Sequence, residues 1–484
     1  MISWNNWQRG QCSSPYLQDG AFAKAVNIDI WGRPGIARIN YHPLQKSATS
    51  GDQEVTALPK CFAGVGDGAA GSYLFMTDEG YEFYTSNFGT TWTKIAADRG
   101  DYCVYWKDYI FTKAANNVIR TYGPLTGSTD DFGFTGALGT GRPMFVSKND
   151  GHLYISNGNA LDRLEEIAGQ NFVDETGSTY TYTSKKVNLP EGYTINAISE
   201  SREDLLIAAT RNNISDNNLP ESAIFVWDRS SNSMQNILHI PERQVNCMLS
   251  VGTTVYISAG NQGKVFIYTE SGVKEYAQIP LDYDNAGRIT VGPQGMAWFK
   301  DKLFLAVKSS TLNPIGLYSI KNGKVNLETL ISSGEDGSNK QLDVGAVYSY
   351  EDNILAFGWY DKQNAEYGID LWGDDYYRWT GYAAYMESPF FRVGTETKRA
   401  RLRNVEVFLA RPLQTGEGLI LKYRENINDS WTTLGTFDFA TFGAHSSYIF
   451  PAGLHELRNV QLRVDLTTGT DSKNTPYLQE IRLT

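Results

Sequence analysis

A degenerate repeat runs through most of the sequence, and it limits the fold more than any other feature. Each copy combines a short apolar strand, a turn rich in Gly, Asn, Asp or Lys, and an alternating strand with an aliphatic–aromatic centre. The centres are Leu74, Ile110, Tyr154, Leu206, Tyr256, Phe304 and Leu355, separated by 36, 44, 52, 50, 48 and 51 residues. Four short strands with their turns need roughly 40–50 residues, the size of one β-propeller blade. The repeat therefore predicts an all-β chain with a seven-bladed β-propeller, and its drift leaves six or eight blades as alternatives.

The composition favours the same fold class. Aromatic residues make up 13% of the 484 residues and there are 46 glycines, which favours pleated sheet joined by tight turns over helix. Hydrophobic residues reach 41%, enough for a sizeable core. A stack of separate sandwiches is the alternative architecture, but sandwiches do not usually repeat at this period.

The two ends of the chain depart from the repeat. Residues 25–40 alternate, turn and alternate again, which predicts a hairpin, and in a propeller an early strand often completes the last blade. After Trp379 a new series of short strands predicts a β-sandwich of jelly-roll type. We expect an exposed junction near residues 376–388. The predicted parts are an N-terminal segment with the closing hairpin (1–45), the propeller (46–378) and the C-terminal sandwich (379–484).

Charge and potential metal ligands exclude several function classes. The formal net charge is −11, so the chain lacks the excess of basic residues with which DNA-binding proteins contact phosphates. The cysteines and histidines are scattered: Cys12, Cys61, Cys103, Cys247, His42, His152, His239, His445 and His455. We expect reduced, packed thiols, no metal and no cofactor. The N-terminus does not resemble a signal peptide and no stretch is long enough to span a membrane, so we expect synthesis in the cytoplasm and no membrane anchor.

One segment resembles a motif of known propellers. Residues 85–92 are similar to the Asp-box of sialidases, with Asn87 in place of the aspartate. In this motif the side chain at that position and Gly89 form a turn between blade strands, and Trp92 packs between sheets, so we predict a structural role for all three. Sialidase chemistry also needs three arginines, a Tyr–Glu pair and an acid, which one degenerate box does not indicate. We therefore expect no catalytic residues and no enzyme.

A basic cluster marks the start of the predicted sandwich. Arg399, Arg401 and Arg403 alternate along a strand and so point the same way. One interpretation is a solvated strand face. The other is a candidate subunit interface, because a row of guanidiniums suits an acidic neighbour such as another copy of this chain.

Four segments together resemble one family. They are ESPFFRVG (387–394), LKYR with SWTTLG (421–435), LRV with PYLQEIRL (462–483), and VNIDI with PG (26–35). These segments, in the order hairpin, propeller and sandwich, resemble the tail hub or nozzle proteins of short-tailed bacteriophages, also called packaged-DNA stabilisation proteins. The resemblance implies a non-enzymatic virion protein in the phage tail, in a homo-oligomeric ring that gates the DNA.

The same resemblance implies the partners. They are other virion proteins, such as a portal, adaptor or tail fibre, and DNA that passes without specific binding. The sequence leaves two other functions open. A carbohydrate-binding propeller for receptor recognition would show clustered Trp and Tyr on one set of loops, and a glycan hydrolase of sialidase type would show a buried cluster of arginines and acids.

Overall fold

The fold is all-β in the part of the chain that the structure, a computed structural model, describes. The described residues are 2–45, 55–65, 73–78, 80–86, 92–97, 99–107, 109–114, 119–123, 130–134, 143–166, 180–211, 221–269, 271–280, 288–309, 316–332, 342–350, 354–362, 364–373, 378–379, 384–395, 397–443, 445–471 and 473–484. Within them, helix is limited to a 3-10 turn at Trp7–Arg9 and the short α1 at Phe439–Phe442. Neither is long and apolar enough to cross a membrane.

Seven four-stranded antiparallel sheets form the blades of a propeller. Five short strands precede them: β1 (Ile2–Trp4), β2 (Lys24–Val26), β3 (Ile28–Asp29), β4 (Arg38–Ile39) and β5 (Leu44–Gln45). The strands of the blades are then β6 (Cys61–Val65), β7 (Tyr73–Thr77), β8 (Tyr81–Thr85), β9 (Thr93–Ala97), β10 (Arg99–Trp106), β11 (Tyr109–Ala114), β12 (Ile119–Gly123), β13 (Asp130–Phe134), β14 (Met144–Val146), β15 (Leu153–Asn157), β16 (Ala160–Glu166), β17 (Tyr180–Asn188), β18 (Tyr193–Ser201), β19 (Asp204–Arg211), β20 (Glu221–Trp227), β21 (Asn236–Ile240), β22 (Val245–Val251), β23 (Thr254–Ala259), β24 (Lys264–Thr269), β25 (Gly272–Gln278), β26 (Ile289–Phe299), β27 (Lys302–Ser309), β28 (Gly316–Lys321), β29 (Lys324–Leu330), β30 (Leu342–Tyr350), β31 (Ile354–Asp361) and β32 (Glu366–Trp372). Blades 1 to 6 take four consecutive strands each, from β6 to β29.

The sequence repeat corresponds to one strand of each blade. All seven repeat centres lie on second strands: β7, β11, β15, β19, β23, β27 and β31. A second strand is paired on both sides and is covered by the adjacent blades, so both of its faces are buried and its sequence is apolar. Six of the seven centres are at most 1% exposed, and Tyr256 is half-buried. The prediction of an all-β propeller with seven blades is confirmed.

Blade 7 is completed by a strand from the start of the chain. It contains β30, β31 and β32, and its fourth strand is β5, with Gln45 opposite Asp370 and Leu44 opposite Leu371. The strand that closes the ring is therefore β5. The hairpin predicted within residues 25–40 is present as β3 and β4, a separate two-stranded sheet outside the blades.

The C-terminal strands form two further sheets. They are β33 (Tyr385–Glu387), β34 (Phe391–Arg392), β35 (Ala400–Leu409), β36 (Gly418–Arg424), β37 (Thr432–Asp438), β38 (Ser447–Leu457), β39 (Asn459–Thr467) and β40 (Leu478–Leu483). One sheet has the order β1-β40-β35-β38. The other has the order β2-β33-β39-β36-β37, with β34 also paired to β39. Each sheet thus contains one strand from the N-terminal segment. This pairing differs from the division predicted from the sequence, in which the N-terminal segment is separate from the sandwich.

The junction between propeller and sandwich is buried where it is described. The Arg378 guanidinium donates hydrogen bonds to the backbone oxygens of Ile39 and Lys473, and the Trp379 indole N–H donates to the Thr329 hydroxyl at 3.0 Å. Ser388 is fully buried. The described residues of this junction are therefore not exposed, contrary to our expectation. One continuous hydrophobic core contains residues of blades 6 and 7, the N-terminal segment and the sandwich.

Candidate functional site

The centre of the propeller holds a cavity of about 650 Å³. The first strand of every blade lines it, through residues that include Phe62, Tyr102, Met144, Glu200, Met248, Gln294 and Tyr348. Ligand pockets are typically about 300–1,000 Å³, mostly apolar, with a few polar groups that fix orientation. The cavity has these properties and is the first candidate for a binding site.

A bulge in the first strand of blade 6 crosses this cavity. Gly292 to Gly295 of β26 lie opposite the single residue Ala306 of β27. The bulge projects Gln294, whose side-chain oxygen accepts a hydrogen bond from the Phe62 N–H at 2.9 Å and whose amide nitrogen donates to the Cys103 oxygen at 3.3 Å. Gln294 thus joins blade 6 to blades 1 and 2 across the central cavity of the propeller.

Our sequence predictions did not include Gln294, although a signal was present. Residues 292–295 read Gly-Pro-Gln-Gly within an otherwise regular strand pattern. Glycine and proline inside a strand commonly mark a bulge, because glycine weakens the strand and proline lacks a donor for the ladder. This signal predicts a bulge but not the direction of the Gln294 side chain.

A buried carboxylate, that of Glu200, lies in the wall of the cavity between blades 3 and 4. Glu200 accepts hydrogen bonds from the Lys148 N–H (3.0 Å), the Ser147 hydroxyl (2.9 Å) and the Asn149 amide (3.3 Å). Its fourth partner is Arg229, whose guanidinium lies 2.9 Å away. Three of these donors bind Oε2 and the Lys148 N–H binds Oε1, so both oxygens of Glu200 are held by the fold. The arrangement clamps two blades together.

Asp150 and Tyr154 extend this cluster. The Tyr154 hydroxyl donates to Asp150 at 2.6 Å, and the Asp150 carboxylate lies 3.5 Å from the Arg229 guanidinium. Burial favours the neutral acid, but hydrogen bonds from Tyr154 and the His152 N–H outweigh it and lower the pKa of Asp150. Burial and the bond to Asp150 raise the pKa of Tyr154. At neutral pH the pair is therefore a carboxylate bound by a protonated phenol.

The cysteines are free and buried. The Cys103 N–H donates to the Cys61 sulfur at 2.9 Å, so blades 1 and 2 are also joined beside the channel. Burial raises the pKa of Cys12 to about 11 and that of Cys247 to about 12, and it also raises the pKa of Cys103. Among the described residues no group of three or more His, Cys, Asp or Glu side chains could hold a metal ion.

The basic row lies on β35 and the residue before it. Arg399, Arg401 and Arg403 are all exposed, while Leu402 between them is buried. Arg399 forms an ion pair with Glu456 on the adjacent β38 at 2.9 Å, with both side chains more than half exposed. The alternation that the sequence indicated is thus present, and the role of the row as an interface stays a prediction.

Only part of the Asp-box-like segment is described. It connects β8 to β9, the third and fourth strands of blade 1, and Trp92 is buried in the core between blades 1 and 7. Asn87 and Gly89 lie outside the described residues.

Two charge pairs lie where the N-terminal hairpin meets blade 6, one within the hairpin and one within the blade. Both Nε and Nη2 of Arg38 lie within 2.9 Å of one carboxylate oxygen of Asp29, whose other oxygen accepts from the N–H groups of Trp31 and Gly32. Within blade 6, Lys302 donates to the fully buried Glu328 at 2.9 Å. Glu328 also accepts from the Asn40 amide at 2.7 Å, which joins the N-terminal segment to the blade. Residues far apart in sequence thus meet in one buried polar network.

The comparisons with known proteins concern the fold. No family model and no curated protein matches the chain. Among solved structures, the β-propeller domain of Cps50 (Swd1) from Myceliophteria thermophila is 10% identical and covers 68% of this chain and 99% of its own, with a TM-score of 0.46. YCF48 bound to a D1 peptide is 11% identical over 71% of this chain and 96% of its own, with a TM-score of 0.45. The Dos1 propeller is 12% identical over 69% and 94%, with a TM-score of 0.39.

Proposed function

We propose that this protein is a non-enzymatic structural component of a bacteriophage tail, a hub or nozzle subunit in a ring of identical copies. The observation that carries the proposal is the firm attachment of the propeller to the sandwich. The N-terminal segment contributes β1 and β2 to the sandwich sheets and β5 to blade 7, and one core spans these parts. A ring closes only if each copy meets the next at a fixed angle, which a rigid subunit provides.

In this proposal, DNA passes through the opening that the ring of copies encloses, and not through the propeller of a single copy. The propeller's own cavity is about 650 Å³ and is crossed by Gln294, so it offers no passage for a duplex. A ring of subunits would provide the channel. The net charge of −11 suits a wall along which a phosphate backbone slides without binding.

The basic row supplies a candidate contact between copies. Arg399, Arg401 and Arg403 are exposed along β35 and the residue before it, in an acidic protein. Exposed ion pairs within one subunit are each worth about 0–1 kcal/mol, so the row gains little there. Across an interface, guanidiniums can pair bidentately with carboxylates of the next copy, and complementary potentials set the register.

The cluster beside the cavity supports a structural function. Glu200 already accepts from four donors, and Asp150 is bound by Tyr154. A general base or nucleophile needs a free lone pair directed at the substrate. Glu200 instead uses its oxygens to join blades 3 and 4, while Asp150 accepts from Tyr154 and the His152 N–H within blade 3.

Assembly of charge-reversed variants tests the proposal. The wild-type protein should form closed rings that mass photometry and negative-stain images detect. The variant Arg399→Glu/Arg401→Glu/Arg403→Glu should stay monomeric with an unchanged circular dichroism spectrum. A matched control, Arg243→Glu/Lys274→Glu/Lys324→Glu, reverses three exposed cations of the propeller and should still assemble. Wild-type protein that stays monomeric alone and in tail extracts would overturn the ring, and normal assembly of the triple variant would leave the row a solvated face.

One observation favours glycan binding as a second candidate function. Tyr256, Tyr276 and Trp298 form a half-buried aromatic cluster between blades 5 and 6, with Trp298 stacked on Tyr256 at 5.7 Å. Aromatic rings present flat apolar faces on which sugar rings can pack. A glycan array on the wild type and Trp298→Ala tests this function, which predicts binding that the variant loses. Hydrolysis of a bound glycan would instead favour the third function, a glycan hydrolase of sialidase type.

A further inference from the structure

Apolar side chains form a closed belt around the centre of the propeller. In every blade, the strand register places one residue of the first strand opposite a buried aliphatic or aromatic residue of the second strand. These seven first-strand residues, which we call the apolar belt, are Ala63, Val104, Met144, Ile198, Met248, Met296 and Val347. All seven line the central cavity of about 650 Å³. One level of the cavity wall is therefore apolar in every blade.

Side chains beside the apolar belt present more apolar surface to the same space. Tyr105, Phe145, Leu249 and Tyr348 each follow a belt residue along its strand, line the cavity and are only half-buried. Val104, within the belt, is half-buried as well. The unfavourable free energy of apolar surface in contact with water grows with its area. A molecule that covers these side chains therefore gains free energy by removing that surface from water.

The polar groups of the cavity lie at its two ends. Gln294 comes before the belt residue of its blade and crosses one end, where it bonds to the backbones of Phe62 and Cys103. At the other end, the turns that follow the first strands contribute Lys148 and Arg202, both exposed. The cavity thus has a bridged polar end, an apolar middle and a polar mouth.

We propose that the central cavity binds a mainly apolar organic molecule, whose apolar part lies within the apolar belt and whose single polar end stays at the mouth. A polar group held inside the belt would lose its hydration without gaining a partner among the belt side chains. The cavity volume lies within the roughly 300–1,000 Å³ of pockets for organic ligands. Methionine side chains are flexible and polarisable, so Met144, Met248 and Met296 can adapt to the shape of such a ligand. This site does not depend on the proposed ring of subunits.

Displacement of the uncharged fluorescent probe phenylnaphthylamine by linear alcohols tests the chemical class of the ligand. The probe should bind saturably, one molecule per chain, and raise the Tm. From butanol to octanol, each added CH₂ group should tighten displacement by about fourfold, because it buries more apolar surface in the belt. Glucose should not displace the probe. Displacement that is equal for butanol and octanol, or that glucose achieves as well as octanol, would overturn the proposal.

A matched pair of substitutions tests the location of the site. Val104→Trp extends a larger side chain from the belt into the cavity and should weaken probe binding by about tenfold or more. Val273→Trp makes the same change at a half-buried valine of β25, outside the cavity, and should bind the probe as the wild type does. Unchanged binding by folded Val104→Trp would overturn the site. If circular dichroism shows that this variant does not fold, Val146→Trp blocks the same cavity from blade 3 and decides in the same way.

Discussion

Gln294 in blade 6 accepts a hydrogen bond at 2.9 Å from the backbone N–H of Phe62 in blade 1, on the far side of blade 7. Adjacent blades normally contact through their faces, whereas this bond crosses the channel. It also brings a bulge of β26 to Cys103 in blade 2, to which the Gln294 amide donates. Three of the seven blades are therefore held at a common point within the ring.

Replacement of Gln294 should weaken the ring. Gln294→Leu removes both hydrogen bonds, so the Phe62 N–H and the Cys103 carbonyl oxygen each lose a partner. We therefore expect the free energy of unfolding to fall by about 1–3 kcal/mol. Urea unfolding followed by tryptophan fluorescence measures it. The control is Gln278→Leu, which removes an exposed amide bonded to Gln262 and should cost much less. Equal losses in the two variants would contradict a bracing role for Gln294.

The buried pair of Lys302 and Glu328 should be costly to break. Glu328 is fully buried, and Glu328→Gln leaves the Lys302 ammonium without its nearest charge partner. Removal of one partner of a buried pair typically costs about 3–5 kcal/mol. Glu456→Gln breaks the exposed pair with Arg399 and should cost about 0–1 kcal/mol. Similar stabilities of the two variants would mean that water reaches Lys302.

The blades could be predicted from the sequence because the same burial pattern recurs in each of them. The second strands, such as the one around Leu206 or Phe304, are covered on both faces, so their apolar centres repeat along the chain. The N-terminal strands have no such local signal. β1 and β2 have three residues each, and Lys24 of β2 pairs with Glu387 near the other end of the chain. Pairing at that separation is set by tertiary packing, which periodicity does not encode.

The same reasoning explains what the sequence indicated about the sites. The alternation of Arg399, Arg401 and Arg403 is a local property of a strand, and the structure shows it on one exposed row. A cavity between the N-terminal hairpin and blade 6 is lined by both Arg38 and Lys321, which are far apart in the chain and belong to different sheets. Without the topology, no spacing in the sequence predicts that these two residues line one cavity.

Stability should depend on pH through Asp370, which lies opposite Gln45 of the closing strand. Burial raises the pKa of Asp370 to about 6 from a usual 3.8, against the hydrogen bonds from Ser332 and Trp359. Between these values the folded protein holds a proton that the unfolded chain has lost. The free energy of unfolding should therefore fall as pH rises through this window, by about 3 kcal/mol in total.

Urea unfolding at several pH values measures this effect. The side chain of the Asp370→Asn variant cannot ionise, so its free energy of unfolding should not show that part of the fall with rising pH. This expectation holds whether the variant is more or less stable than the wild type at any single pH. Asp471→Asn changes an exposed carboxyl and should keep the wild-type slope. An Asp370→Asn profile parallel to that of the wild type would show that Asp370 does not carry the dependence.

The thiols should be unreactive in the folded protein. All four cysteines are buried, and burial raises the pKa of Cys12 and Cys247, so little thiolate forms at pH 8. Ellman's reagent should label none of them until urea unfolds the chain, when all four should react. Ser271→Cys places a thiol on an exposed turn and should react at once. Rapid labelling of a native cysteine would indicate local opening of the blades.

Asn27 should be the residue of the first segment that is least tolerant of change. It is fully buried, has a left-handed φ of 56°, and connects β2 of the sandwich to β3 beside the propeller. Its side-chain oxygen accepts from the Leu330 N–H of blade 6 at 2.8 Å. One residue thus provides both an unusual backbone conformation and an acceptor, which explains an asparagine at this position of the VNIDI segment.

A pair of substitutions separates these two contributions. Asn27→Gly keeps the left-handed conformation at no steric cost but loses the acceptor, so we expect a loss of about 1–3 kcal/mol in the free energy of unfolding. Asn27→Ala loses the acceptor and also incurs about 1–2 kcal/mol of backbone strain, so it should be the less stable of the two. Asn6→Ala and Asn6→Gly, at another left-handed but exposed asparagine, control for the conformational cost alone. If the Asn27 variants are no less stable than the matched Asn6 variants, the bond to Leu330 does not attach the segment to blade 6.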